Sequence, residues 1–505
     1  MNTTVPAVTR ATRREWFGLA LLVVPMLLLS IDLTVLFFAL PAISSDLNPT
    51  ASQSLWIVHA YGFLVAGFLV TMGRLGDRFG PRRLLLIGAT AFGALSAAAA
   101  FAPSAEFLIG ARALMGVAGA TLMPSLFSLL RVMFADDGQR RTAIAVMMSA
   151  FSVGGLIGPL VGGVLLEWFE WGAVFLVNVP AVLVLVVLGR AGLPEREERN
   201  RGSIDLLSIL LSSAGILAVV SGLQELATAA SHSPGSVAVN AAIAAAGVVL
   251  IALFVRRQRR LSDPLLDISI VTERRVASAL ITLVLTLLAV VGTFFLFAQH
   301  LQWVIGLSAL EAGIWTLPYV AVNIAGALLA PTLARIWSAR TAVVAGLVTA
   351  VAGMSVLFAI LGPEAPAVWI VAAMAVTGLG QGVVNPLVSD LIISSAPIAK
   401  TGSAASVQEV AGELGSAFGI AAAGAIGTLA YRASLVATLP GDVDSVVAER
   451  AGEGLAAGVD AAAASVSLLD VVHAAGAAQF RTVAGVAVVL LLGAVIAAIG
   501  MRRQP

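Results

Sequence analysis

Gly73-Arg74-Leu75-Gly76-Asp77-Arg78-Phe79-Gly80-Pro81-Arg82-Arg83 is a short basic segment with glycines at fixed places, wedged between two long apolar runs. No Gly-Lys-Ser/Thr opens a helix after it, so it is not a phosphate cradle. It does make sense as a tight turn between two membrane helices. The glycines let the helix ends approach, and the arginines hold the turn in the cytoplasm.

Composition agrees with that reading. Hydrophobic residues make up 59% of the 505 and charged residues 11%, which excludes an ordinary soluble globular chain. Apolar runs of about 20 residues, enough to cross a hydrocarbon core, recur throughout. Fourteen are expected, near 16–40, 53–73, 83–101, 105–131, 140–166, 171–190, 204–224, 236–255, 276–298, 310–334, 340–361, 366–392, 401–430 and 482–501. Ten-residue alternation of the β-barrel kind is missing, so an all-α integral membrane protein is expected. The first apolar run is too long for a cleavable leader and lacks a small-residue cleavage site. With no cysteine and four scattered histidines, disulfides and metal sites are not expected, and neither is a cofactor.

Charge placement fixes a topology. Of the 29 Lys and Arg, 25 fall in segments that an even-span path with both termini cytoplasmic puts inside. One miscounted span would invert the alternation downstream, and no inversion occurs.

The chain also repeats. Gly116-Val117-Ala118-Gly119 followed by Pro124 has a partner in Gly378-Leu379-Gly380-Gln381 followed by Pro386. Residues 331–340 look like a decayed copy of the glycine-arginine loop. Spans 1–6 therefore pair with spans 9–14, leaving 7 and 8 as an insertion. The expected division is a first six-helix bundle over 1–190, a linker with the inserted spans over 191–256, and a basic cytoplasmic linker over 257–275. A second six-helix bundle follows over 276–505, with an external loop at 431–480. That loop contains helix-compatible stretches near Ser445–Ala457 and Ala461–Ala478; a helical hairpin and a solvated acidic loop both fit it.

Ionisable side chains inside spans are expensive and mark candidate sites. Asp32 in span 1 and Glu409 and Glu413 in span 13 are the acids; Arg112 in span 4 is the buried base. The glutamates stand four residues apart and share one helix face. Two charges in poorly hydrated space are unfavourable, so one should hold a proton that a bound cation would release. Asp32, Arg112, Glu409 and Glu413 are thus candidates for proton coupling, with bonding to neighbouring helices as the plainer alternative. Flat cations bind π-faces, which makes Phe37, Phe38, Trp56, Tyr61, Trp315 and Tyr319 candidate substrate contacts, against packing or an interfacial belt. In span 5, Gly154, Gly158, Pro159, Gly162 and Gly163 build a smooth, locally bent packing face.

Together these residues resemble the fourteen-span drug:proton antiporters of the major facilitator superfamily, QacA/SmvA/LfrA-like, over nearly the whole chain. The opening loop is similar to that superfamily's signature loop, in which Gly73, Asp77, Arg78, Gly80 and Arg82 would serve conformational change. Ile31-Asp32-Leu33-Thr34 resembles the first-span motif, and Leu55-Trp56-Ile57-Val58 with Tyr61 the second. Arg112 with Gly116 resembles the fourth, and the Gly-Pro run of span 5 the exporter motif. The subgroup's Trp171-Gly172-Ala173-Val174-Phe175-Leu176-Val177-Asn178-Val179-Pro180 is present too. Two departures stand out: His59 occupies the place of an acid in span 2, and Asn323 that of an acid in span 10. The resemblance implies the major facilitator fold, two pseudo-symmetric bundles plus two inserted spans. It also implies that Asp77 faces the start of span 11, near Arg340.

The function so implied is proton-coupled efflux of lipophilic cations across a bacterial inner membrane: quaternary ammonium compounds, intercalating dyes and fluoroquinolones. Asp32, Phe37, Phe38, Trp56, His59, Tyr61, Trp315, Tyr319, Asn323, Glu409 and Glu413 would meet the substrate. The chain would be no enzyme. Its partners would be protons, drugs and membrane lipid, not nucleic acid, and a monomer would suffice. Export of one defined metabolite or antibiotic is the alternative, distinguished by a single substrate. A non-transporting membrane sensor is a third, excluded by any proton-dependent flux.

Overall fold

Lipid offers no water to a peptide N–H or C=O, so a chain of apolar runs must close its hydrogen bonds within helices. The computed structural model describes residues 10–49, 51–195, 205–229, 234–261, 264, 266, 271–307, 309–398, 401–439, 443–452, 454–462 and 465–501. Among these the regular structure is helical, without a strand.

The first half comprises α1 (Arg13–Leu47), α2 (Ala51–Phe79), α3 (Pro81–Ala100), α4 (Ala105–Gly119), α5 (Leu122–Met133), α6 (Asp137–Trp168), α7 (Ala173–Leu176) and α8 (Asn178–Gly192). The inserted pair is α9 (Leu206–Ala229) and α10 (Pro234–Gln258). The second half comprises α11 (Arg274–Trp303), α12 (Ala309–Ile336), α13 (Ala339–Ile360), α14 (Ala367–Ser395) and α15 (Thr401–Thr438). After the short helices α16 (Ser445–Ala451) and α17 (Leu455–Ala462) it closes with α18 (Val466–Ile499).

Twelve described segments are long and apolar enough to cross a membrane, against the fourteen expected. The remaining two runs fall in α2 and α9. The C-terminal end of α2 carries Arg74, Asp77 and Arg78, and the apolar stretch of α9 is the shorter Leu206–Val219.

Proline sets the breaks inside spans. Pro124 has no N–H to offer the Ala120 carbonyl, and α4 gives way to α5 at Ala120 and Thr121. Pro180 does the same to Leu176, where α7 gives way to α8. The signature loop is a one-residue joint between α2 and α3. Gly80 sits there at φ 95°, which a side chain would strain, and Pro81 opens α3.

The repeat read from the sequence recurs in the packing. A Cβ at Gly116 would strike the backbone of Tyr61, and one at Gly378 would strike Tyr319. Gly154 and Gly158 press α6 onto Leu27, Ser30 and Thr34 of α1. Gly415 and Gly419 press α15 onto Val284 and Leu288 of α11 in the same manner. Small residues at four-residue spacing let these backbones meet. The inserted pair touches both halves: Ile216 and Phe254 pack with Phe63, Ala66 and Val70 of α2, and with Val410 and Leu414 of α15. One end of the pair is tied by Arg257, which donates to Asp205 at 2.7 and 3.0 Å and holds that carboxyl down at about 2.

Helices account for much of the 431–480 loop, but not at the expected boundaries. α15 runs on to Thr438 and α18 begins at Val466, so the stretch expected at Ala461–Ala478 is divided between α17 and α18. Tyr431 donates to the Ala451 carbonyl at 3.0 Å and Arg432 to Gly452 at 2.9 Å, over an apolar cluster that includes Leu435, Leu455, Leu468 and Val472.

Candidate functional site

A charge sealed in apolar surroundings is tolerated when it is paired and its remaining donors and acceptors are satisfied. Asp32 of α1 and Arg112 of α4 meet that condition. Arg112 Nη1 donates to Asp32 Oδ2 at 2.6 Å, and each side chain is 1% exposed. Asn178 of α8 donates to Asp32 Oδ1 at 3.0 Å and lies 3.0 Å from Ser96 Oγ, which itself donates to the Phe175 carbonyl. Arg112 Nε donates to the Ile57 carbonyl at 3.3 Å, and its guanidinium lies over the Tyr61 ring, 4.7 Å from the centroid. Gly116 and Gly119 make room for Tyr61 to sit there. Both oxygens of Asp32 are therefore occupied by the protein, and neither faces open space.

The second half presents its acids differently. Gly402, Ser406, Glu409 and Glu413 fall at i, i+4, i+7 and i+11, one stripe along α15. At its N-terminal end this stripe lies against α2, where a Cβ on Gly73 would strike Ser406 and Gly402. On one side of the stripe Val410 and Leu414 pack toward α2 and the inserted pair; on the other, Gly412, Gly415 and Gly419 pack on α11. Of the two glutamates, Glu409 is half-buried and Glu413 exposed. Glu413 is near enough to act electrostatically on the Tyr61 phenol, and Glu409 and Glu413 act on each other. Gln408 steadies Glu409 at 3.4 Å while accepting from Ser389 of α14 at 2.8 Å.

The aromatic candidates divide. Tyr61 is buried against Arg112, whereas Trp56 is exposed and edge-on to Phe63 at 5.7 Å. Tyr319 lies tilted against Phe294, ring centroids 5.0 Å apart, and donates to Gln381 Oε1 at 2.5 Å; Trp315 packs in the same cluster. Asn323 spends its amide on the Gly378 carbonyl at 3.0 Å. The side chains of Phe37, Phe38, His59 and Pro159 lie outside the described residues. Gly162 is buried on α6, while a Cβ at Gly163 would meet open space.

The signature loop ties the halves together, but at a different helix from the one expected. Asp77 accepts from Gly402 N and Ser403 N at 3.0 Å and from Ser403 Oγ at 2.7 Å. It caps α15, the thirteenth run, not span 11; Arg340 instead donates to the Ile499 carbonyl at 2.8 Å. The physical reason is the repeat. The fifth helix of the second half packs against α2, and the insertion moves that helix two places along the chain. Arg82 reaches Glu195 at 2.5 Å and the Leu193 carbonyl at 3.1 Å, while Arg78 lies over Phe79. A second tie runs beside the first: Arg140 and Arg141 of α6 bind the two oxygens of Asp390 on α14 at 2.7 and 3.1 Å. Arg131 adds a hydrogen bond to the Ile393 carbonyl.

Sequence reasoning gave no role to Asn178, Ser96, Gln381, Gln408 or Asp390. Asp390 carried a usable signal, an acid inside the expected span 366–392. The neutral residues carried none beyond their place in quoted motifs.

A family model described as the Major Facilitator Superfamily matches residues 22–420. The multidrug efflux pump LfrA of Mycolicibacterium smegmatis is 43% identical over 502 residues, covering 99% of this chain and 98% of that one. The methyl viologen resistance protein SmvA of Salmonella typhimurium is 32% identical over 450 residues, 89% of each chain. Among solved structures, the human organic anion transporter MFSD10 (TETRAN) superposes with a TM-score of 0.60 at 16% identity, covering 96% of this chain and 99% of that one.

Proposed function

The chain belongs to the Major Facilitator Superfamily, and on that premise we propose that it is a multidrug efflux pump driven by protons. It expels lipophilic, mostly cationic compounds across a bacterial inner membrane. The observation that carries the reading is the pair of carboxyls one turn apart on α15, Glu409 half-buried and Glu413 exposed, with Glu413 near enough to act on the Tyr61 ring that covers Arg112. Full-length similarity to a multidrug efflux pump supports it, as does similarity to a methyl viologen resistance protein.

Glu409 and Glu413 repel each other when both are charged, and a cation or a proton relieves that repulsion. Drug and proton therefore compete for the same carboxyls, and a pump that loads one must release the other. Asp32 and Arg112 respond from the opposite half. Loss of the Asp32 charge would release Arg112 from its partner, beneath the Tyr61 ring. The aromatic group of Tyr319, Phe294 and Trp315 offers π-faces to flat cations.

We place α2 and α9 across the membrane with the other twelve, fourteen spans in all, with both termini cytoplasmic. The arginines of the signature loop then lie inside, and so do the Asp77 and Asp390 ties. In this conformation the inner end is fastened, and transport proceeds by releasing it.

The test is ethidium efflux from energised everted vesicles, with and without a protonophore. Uptake that collapses with the protonophore, and that several unrelated cations inhibit, is expected. Flux of a single compound would favour the one-metabolite exporter, and no proton-dependent flux would sink the reading.

A further inference from the structure

We propose that the cleft between the inner ends of the two halves binds a phosphate-bearing anion, an anionic lipid headgroup or free phosphate, which fastens those ends together. The cleft has a volume of about 650 Å³ and takes its walls from both halves. Arg131, Arg140 and Arg141 of α5 and α6 line one side; Arg275 of α11 lies on the other, with Ala339 at the start of α13. A 22-residue helix thus points its positive end into a space already ringed by four guanidiniums.

The acids of the cleft are spoken for. Asp390 is shared by Arg140 and Arg141, Asp137 is held by Arg140 at 2.8 Å, and Glu195 is held by Arg82 and Arg83. Among the described residues no carboxylate pairs with Arg131 or Arg275. Arg131 uses one nitrogen on the Ile393 carbonyl, which leaves other donors of its fork unspent. Two arginines from opposite halves, lacking an acid and facing one cavity, suit a phosphate, because the guanidinium fork matches its oxygens in pairs.

The walls favour a lipid over a free ion. Val132, Leu387, Leu391 and Ile398 line the same cleft, and Ile398 is 50% exposed. A headgroup can meet the arginines while the first carbons of its acyl chains cover that apolar strip, and basic pockets between transmembrane helices suit anionic headgroups. An anion held by Arg131 and Arg275 would bridge the halves, in parallel with the Arg140–Asp390 tie. It would bind the fastened conformation in preference to the open one and so stabilise it. This inference needs only the fold and stands apart from the drug-efflux reading.

The experiment is thermal unfolding of the purified full-length protein in a neutral detergent. It is titrated separately with phosphatidylglycerol, phosphatidylcholine and inorganic phosphate. Phosphatidylglycerol should raise the midpoint and phosphatidylcholine should not. Arg275→Gln and Arg131→Gln should each weaken the apparent affinity about fivefold, the weight of one surface arginine toward an anionic lipid. Arg275 is exposed, so its variant tests the site even if Arg131→Gln fails to fold. Arg260→Gln, on the exposed linker outside the cleft, should change nothing. A shift with inorganic phosphate that Arg275→Gln abolishes would keep the site and assign it to free phosphate. No shift with either anion would overturn the proposal, as would a shift that Arg260→Gln weakens as much as Arg275→Gln.

Discussion

At the scale of single residues, the strongest constraint is the sealed pair of Asp32 and Arg112, 2.6 Å apart. Removing one member leaves the other buried without its counter-charge, at a cost of about 3–5 kcal/mol. Arg112→Met should therefore lower the thermal midpoint in detergent and abolish ethidium efflux. Asp32→Asn should abolish efflux too, while Asn178→Ala, which removes one hydrogen bond to the carboxylate, should cost only about 1–3 kcal/mol. If Asp32→Asn transported normally with an unchanged pH profile, the pair would be a structural anchor and nothing more. The α15 glutamates behave as a unit, since two carboxyls one turn apart titrate together. Substrate-induced proton release, measured in detergent, should fall in Glu409→Gln and in Glu413→Gln and vanish in the double variant, with effects that do not add. Full proton release from the double variant would move the coupling role to Asp32 and Arg112. These charged residues were legible in the sequence because a charge in an apolar span needs a reason to be there. Asn178 and Ser96 were not, since a neutral polar residue in a span is cheap and only the fold reveals that it touches Asp32.

Among elements, the junction of α2 and α15 matters most. Asp77 satisfies two backbone N–H groups at the start of α15 and one hydroxyl, acting as a capping residue supplied by another helix. Asp77→Asn keeps a single acceptor oxygen and loses the negative charge at the helix N-terminus, a loss of about 1–2 kcal/mol from the fastened conformation. Efflux should drop severely while the protein still reaches the membrane, as immunoblots of membrane fractions would check. Ser403→Ala, which gives up only the hydroxyl bond, should be milder. Equal losses in the two variants would mean that the charge is not what holds the helix. The family resemblance pointed this loop at span 11; its real partner, the start of α15, lies some 325 positions away in the chain and only packing reveals it. The twin of the span-5 glycines, Gly415 and Gly419, was equally hidden. In a chain with 49 glycines, four-residue spacing gains meaning only when a facing helix is known.

Across the whole molecule, hydropathy was enough to read an all-helical chain built for a membrane, because lipid imposes that pattern on any chain that crosses it. How the halves meet was not readable, since it depends on contacts some 250–330 positions apart, such as Arg140 to Asp390 and Asp77 to Ser403. Two such ties act on one rigid-body equilibrium, so weakening both should add in free energy, as expected of separate sites with no shared partner. The chain has no cysteine, so a single introduced thiol reports without background. Ser406 is buried where α15 meets Gly73 of α2, and Ser406→Cys should react slowly with a membrane-impermeant maleimide in everted vesicles. Adding Asp77→Asn should speed labelling about tenfold, the factor that goes with 1.4 kcal/mol in an open-to-closed equilibrium. Asp390→Asn should do the same, and the two together should multiply. A double variant that labels no faster than either single one would show that the ties do not hold the same gate. Fast labelling without either substitution would mean that the inner end is not fastened at rest.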